Sequence, residues 1–239
     1  MPRFFSDEIS QDTIIISGSD AVHIGRSLRM KLGDEITVCS NGIEYLTSIR
    51  SINDKQVICD IISSSPSQAE PNIRLALFQA MPKSDKMDLI VQKAVELGAA
   101  EIHPVLTERC VSRPDKKSFD KKKARLQKIA LEAAKQSGRG IIPTISDIIN
   151  LDQCIKEMSL MDTPLICYEK GGKNLNEAGL MPNSTVGLFI GSEGGFDPAE
   201  AEKCISAGII PIGLGPRILR CETAPLCAIS VIMNLTGNI

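Results

Sequence analysis

Two glycine-bearing segments late in the chain have the residue types and spacing to hold a ligand. The first is Gly191-Ser192-Glu193-Gly194-Gly195-Phe196. The second is Leu214-Gly215-Pro216-Arg217-Ile218-Leu219-Arg220-Cys221-Glu222-Thr223-Ala224. Each follows an apolar run (186–190 and 209–214) that reads as a buried strand, and each leads into a predicted helix. Glycine at a strand end lets backbone N–H and C=O groups approach a ligand where a Cβ would block them. Two such loops from neighbouring strands make a cleft at the carboxyl edge of a parallel sheet. The first loop matches neither a dinucleotide G-x-G-x-x-G nor a Walker A motif, and the bland alternative for it is a tight turn with no ligand. In the second loop Arg217, Arg220 and Glu222 crowd an otherwise apolar segment expected to be half buried. Charged side chains are rarely buried unless paired, so the bland alternative for these residues is a structural Arg220–Glu222 salt bridge, which is compatible with function.

Basic residues suggest a second chemistry. The stretch 115–128 holds seven of them (Lys116, Lys117, Lys121, Lys122, Lys123, Arg125, Lys128) against two aspartates. Arg3, His23, Arg26, Arg29 and Lys31 form a second cluster. Each is either a phosphate-contacting face or a solvated surface. Two clusters on two domains favour a bipartite RNA surface. With no Trp and two Tyr, a base-stacking platform for single strands is not expected. Gln136, Ser137 and Arg139 close a helix at Gly138, where Gln136 and Arg139 either face the cleft or simply end the helix.

These residues must be positioned by a chain of 239 residues with 43% hydrophobic and 23% charged content, ordinary for a globular protein with a core. A net charge of −2 excludes a globally basic nucleic-acid coat, so a polyanion would be held by local patches. The eight cysteines are scattered with no C-x-x-C pair. They read as reduced, with no metal site, in a cytoplasmic protein. His23 and His103 lack partners spaced for a metal or a triad, and His103 reads as structural. Neither a signal peptide nor a membrane-spanning run is recognisable, so no membrane association is expected.

The composition changes at Ser63-Ser64-Ser65-Pro66-Ser67-Gln68-Ala69-Glu70-Pro71, which reads as a linker between residues 1–70 and 71–239. Before it, β-branched runs (13–16, 35–39, 45–52, 56–62) and the turn pairs Asn41-Gly42 and Asn53-Asp54 predict a small, mainly antiparallel β domain. A helix over 22–29 would plug it. After it, strands are predicted at 74–79, 102–106, 165–168, 186–190 and 209–214. The intervening helices are predicted over 84–97, 121–135 and 197–207, the last with Asp197 as N-cap and Pro198 at its first position. Alternation of this kind means α/β with a parallel sheet.

The chain resembles the small-subunit rRNA uridine-N3 methyltransferases, the RsmE family of knotted SPOUT methyltransferases, over nearly its whole length. The resemblance rests on Arg3-Phe4-Phe5, His23 with Arg26-Ser27-Leu28-Arg29-Met30, and Gln92-Lys93-Ala94-Val95-Glu96-Leu97-Gly98. It continues through Glu132-Ala133-Ala134-Lys135-Gln136-Ser137-Gly138-Arg139 and the two glycine loops. The family usually has Pro where Ser192 stands, Thr where Val95 stands, and commonly Thr where Cys221 stands.

The resemblance implies a PUA-like β-barrel RNA-binding domain before an α/β SPOUT domain with a deep trefoil knot. It also implies a homodimer and S-adenosyl-L-methionine as cofactor. The product would be N3-methyluridine in 16S rRNA, made on the assembled small ribosomal subunit. Cofactor contacts would come from Leu165, Ile190, Gly191, Glu193, Gly194, Leu214, Gly215, Ile218, Leu219 and Ala224. RNA contacts would come from Arg3, Arg26, Arg29, Lys31, Lys121, Lys122, Arg125, Gln136 and Arg139. Arg220 would stabilise the uracil anion, and Glu222 would either accept the proton or orient Arg220. Two rivals remain open. A non-catalytic RNA-binding protein on this scaffold would not bind the donor, and a small-molecule enzyme with a nucleotide cofactor would need neither basic cluster.

Overall fold

The computed structural model describes all residues from 1 to 239. Two compact units emerge, Met1–Glu70 with Ala134–Ile141, and Pro71–Ala133 with Ile142–Ile239.

In the first unit, strands β1 (Arg3–Phe5), β2 (Thr13–Ser17), β3 (Glu35–Ser40), β4 (Ile43–Ile52) and β5 (Gln56–Pro66) form one sheet in the order β1-β3-β4-β5-β2. All pairings are antiparallel except β1 with β3. Asn41 and Gly42, both at positive φ, make the β3–β4 turn as their side chains allow. Helix α1 (Gly18–Val22) runs into a π-turn over His23–Ser27. The helix therefore starts earlier than the pattern over 22–29 suggests. Its Ala21 and Ile24 are buried with Ile14, Ile36, Val38, Val57 and Cys59 in this unit's core.

The serines at 63–65 are not linker. They extend β5, with Leu46, Tyr45 and Glu44 facing Ser63, Ser64 and Ser65. This end of the strand is exposed on both faces, so it carries none of the apolar alternation that marks a half-buried strand.

The second unit is built on a parallel sheet. Its strands are β6 (Arg74–Ala80), β7 (Glu101–Leu106), β8 (Thr144–Ile145), β9 (Ile149–Asn150), β10 (Thr163–Cys167), β11 (Thr185–Ile190) and β12 (Ile210–Ile212). The order is β12-β10-β11-β6-β7-β8, with β9 also on β7. Central strands such as Val186–Ile190 are buried on both faces, which explains their unbroken apolar runs. Helices α2 (Lys86–Glu96), α3 (Lys116–Ser137), α4 (Leu151–Met158), α5 (Pro198–Ser206) and α6 (Ala224–Leu235) connect or flank the strands. Met87, Ile90, Val91 and Ala94 of α2 are buried, as their spacing requires. Helix α5 begins with a full capping box, Asp197 accepting from the Ala199 N–H and Glu200 from the Asp197 N–H. Helix α4 is capped in the same way by Asn150 and Gln153, and the sequence pattern predicts no helix there. Its run is short and its apolar stripe carries only a few residues.

The last turn of α3 belongs with the first unit. There Glu70 accepts hydrogen bonds from the Arg139 guanidinium (2.7 and 2.9 Å) and from the Gly140 and Ile141 N–H groups (2.8 and 3.1 Å). Lys135 pairs with Asp20 at 2.8 Å.

Candidate active site

Strands β12, β10 and β11 are neighbours and parallel, so their carboxyl ends deliver three loops to one edge of the sheet. The loops are 191–196 after β11, 168–172 after β10 and 213–223 after β12. Between them lies a cavity of about 590 Å³. A parallel sheet collects strand-end loops this way whatever their separation in sequence.

The first loop is tight and held from three sides. The Gly195 N–H donates to the Ser192 carbonyl at 2.9 Å, and Gly195 adopts φ +65°. A Cβ on Gly191 would lie 3.1 Å from the Gly195 Cα. Gln79, fully buried at the end of β6, donates through Nε2 to the Gly191 carbonyl at 3.2 Å. Arg109, after β7, donates to the Gly194 carbonyl at 2.9 Å, and its stem abuts Gly194. Glu193 accepts from the Lys83 N–H at 3.1 Å and pairs with Lys86 Nζ at 3.0 Å. Burial pushes the Glu193 carboxyl up, but backbone N–H groups and Lys86 outweigh it and hold the group below the usual carboxylate range.

The second loop carries unpaired cations. Arg217 and Arg220 line the cavity mouth, are exposed and make no salt bridge. The Arg220–Glu222 salt bridge, the bland alternative for this segment, does not form. Glu222 instead meets Lys86 Nζ at 3.2 Å and accepts from the Cys221 thiol at 3.2 Å. The reason lies in the turn into α6. The Arg220 carbonyl accepts from Thr223 and Ala224, leaving Arg220 at the mouth while Glu222 reaches α2. Burial raises the Glu222 carboxyl, and its own N–H, the Cys221 thiol and Lys86 more than reverse that. The Cys221 thiol is pushed up to about 12 by burial and by Glu222, so it stays protonated.

Of the residues expected at a cofactor, Ile190, Gly191, Glu193, Gly194, Leu214, Gly215, Ile218, Leu219 and Ala224 all line the cavity. Leu165 does not. It is fully buried within β10, because the cavity lies beyond the end of that strand, where Cys167, Tyr168, Glu169 and Gly171 form the wall. Sequence reasoning missed this third loop, although Gly171-Gly172 after a predicted strand was a signal of the same kind as the other two. Lys86 was missed as well, and nothing in its local pattern marks it.

The basic residues divide. Lys121 is exposed and Lys122 half-buried on α3, Gln136 is exposed near its end, and Arg29 and Lys31 are exposed on the first unit. Arg26 is paired with Asp54 at 3.0 Å with both side chains largely exposed. Arg125 is paired with Asp88. Arg3 and Arg139 are paired with carboxylates of the first unit. Arg3 is held by Glu44 at 3.0 Å, and Arg139, 2% exposed, is held by Glu70. A buried guanidinium must be paired, as Arg139 is, while Arg3 is partly exposed beside its glutamate. His103 is structural, stacked on Phe78 at 4.5 Å with Nε2 3.0 Å from Glu101. No group of three or more potential metal ligands exists, and all eight cysteines are free. No helix is long and apolar enough to cross a membrane.

Comparison with known proteins places this geometry in a family. Residues 69–233 match the RNA methyltransferase domain and residues 16–62 the RNA methyltransferase PUA domain. The chain is 35% identical to the ribosomal RNA small subunit methyltransferase E of Bacillus subtilis, covering 99% of this chain and 97% of that protein. It is 32% identical to the protein of the same name from Buchnera aphidicola, covering 100% and 98%. The crystal structure of a ribosomal RNA small subunit methyltransferase E from Neisseria gonorrhoeae bound to S-adenosyl methionine superposes with a TM-score of 0.88 at 30% identity, covering 99% and 98%.

Proposed function

This chain belongs to the ribosomal RNA small subunit methyltransferase E family, and from that premise we propose that it methylates N3 of a specific uridine in 16S rRNA with S-adenosylmethionine as donor. The observation that carries the reading is the cavity between three strand-end loops with the unpaired Arg220 at its mouth.

The cavity fits the donor. Gly213 and Gly215 line the cavity, and a Cβ at either would meet no protein atom within 4 Å, so the space beside them stays open to a ligand. Ile190, Leu214, Leu219 and Ala224 offer an apolar slot for adenine, and Glu169 and Glu193 offer carboxylates to a ligand carrying positive charge. When bound, S-adenosylmethionine supplies an electrophilic methyl group on a sulfonium.

The protein's own part is positioning and electrostatics. The loop 191–196 holds its carbonyls and N–H groups in fixed directions, which aligns donor and acceptor before reaction. Arg220, with no protein anion to satisfy it, is free to sit beside the uracil ring and favour the N3 anion formed when the N3–H proton leaves. A base-paired uridine hides N3, so the target must be unpaired or flipped. Arg26, Arg29, Lys31, Lys121, Lys122, Arg125 and Gln136 are the proposed RNA contacts. The proposal includes a trefoil knot formed by the segment 213–235, a homodimer, and action in the cytoplasm on the assembled small subunit.

The test is to incubate the protein with methyl-labelled S-adenosylmethionine and small subunits from a strain lacking the gene, then digest the rRNA and identify the labelled nucleoside. Label in N3-methyluridine is expected. No label from a protein that binds the donor would refute the rRNA reading.

A further inference from the structure

Lys86 sits in the first turn of α2, where the positive end of the helix dipole disfavours a cation. Yet its ammonium reaches two carboxylates that belong to different cavity loops. Glu193 of the first loop lies at 3.0 Å and Glu222 of the second at 3.2 Å. Without Lys86, two ionised carboxylates would face one another across the cavity wall.

We propose that Lys86 is a positioning residue for methyl transfer, a latch that holds the 191–196 and 213–223 loops together around the donor. This rests on the methyltransferase reading above. The latch also assigns Glu222. A carboxylate stabilised by an ammonium, a thiol donor and its own N–H is a weak base, because general-base catalysis favours a group that titrates near the working pH. Glu222 therefore keeps the Arg220–Glu222 turn in place, and the uracil N3 proton passes to solvent water at the exposed cavity mouth. The three side chains remain partly solvated, at 30%, 28% and 18% exposure.

The experiment is calorimetric binding of S-adenosylmethionine to wild type, K86M, K86R and K86M/E222Q, with thermal melts and turnover of each. For K86M, donor affinity should fall about tenfold, as expected for losing two partly solvated charge-assisted contacts. The KM for donor should rise with kcat at saturating donor nearly kept, and K86R should retain most of the affinity. K86M/E222Q should recover part of it, because removing one carboxylate removes the repulsion. A merely structural lysine would show no such recovery. Wild-type affinity in K86M, or loss without recovery in K86M/E222Q, overturns the latch. If K86M does not fold, E222Q alone carries the test, and unchanged donor affinity in it is the overturning result. A wild-type protein that binds no donor would instead refute the functional reading itself.

Discussion

Replacing Gly191 with alanine tests whether the loop after β11 is shaped for a ligand or is only a turn. The added Cβ would lie 3.1 Å from the Gly195 Cα, 3.2 Å from the Gly195 carbonyl carbon and 3.3 Å from a Phe196 ring carbon. Two of these neighbours are backbone and cannot rotate away, so the loop must open by a few tenths of an ångström. Opening strains the Gly195 N–H to Ser192 bond and the Gln79 bond to the Gly191 carbonyl. Overpacking costs about 1–3 kcal/mol and each weakened neutral hydrogen bond about 1 kcal/mol, so restoring the original loop in G191A costs about 2–3 kcal/mol. If donor binding requires that loop, affinity falls by roughly 30- to 150-fold. The free protein can relax, so its melting temperature should drop by only a few degrees. The matched control is Gly208→Ala. Gly208 has φ +89° with nothing within 4 Å of a Cβ, and it is not among the cavity-lining residues. It should lose about 1 kcal/mol of stability and no donor affinity. Calorimetric titration with S-adenosylmethionine and a thermal melt of both variants decide the matter. Wild-type affinity in G191A would refute the assignment of this loop to the donor.

Three further outcomes follow from particular contacts. Arg220→Ala should lower kcat by about a hundredfold or more with donor affinity nearly kept, measured by single turnover on small subunits. A fall in donor affinity alone would reassign Arg220 to donor binding. Arg139→Met should destabilise the protein by about 3 kcal/mol, since it strips Glu70 of its buried partner. A denaturant melt with an unchanged midpoint would return Arg139 to the list of surface residues. Glu101, beside His103 and Arg74, has its carboxyl lowered from 4.5 to about 2, with the hydrogen bond from His103 the largest cause. Its folded-state value lies below its unfolded one. The stabilisation is therefore complete above about pH 4.5 and lost as pH falls toward 2. It is worth at most about 3 kcal/mol. Acid titration of E101Q against wild type should show a shallower loss of stability across that window, and identical acid curves would count against the pairing.

The sequence alone determined the parallel α/β unit, the antiparallel β unit before it, and two of the three loops at the cavity. Each of these is written in local chemistry. A strand buried on both faces must be an apolar run, as 186–190 is. A helix that buries one face must space Met87, Ile90, Val91 and Ala94 as α2 does. A loop that folds back tightly on itself at a strand end must spare a Cβ, as Gly191 does against Gly195. The family resemblance, carried by those same loops, added the chemistry. What the sequence could not determine is which charges meet. Arg220 and Glu222 are close in sequence, yet Glu222 finds Lys86, far away in the chain. Arg139 looks like a surface cation, yet Glu70 holds it inside, and Arg3 is tied to Glu44. Leu165 looks like a cofactor contact, yet it lies within its strand and short of the cavity. An ion pair depends on where two side-chain tips arrive after the backbone has folded, and the tips of Lys, Arg and Glu lie several bonds from the backbone. Local patterns fix the direction of a strand or helix, and only the packed tertiary structure decides which distant charge lies within reach.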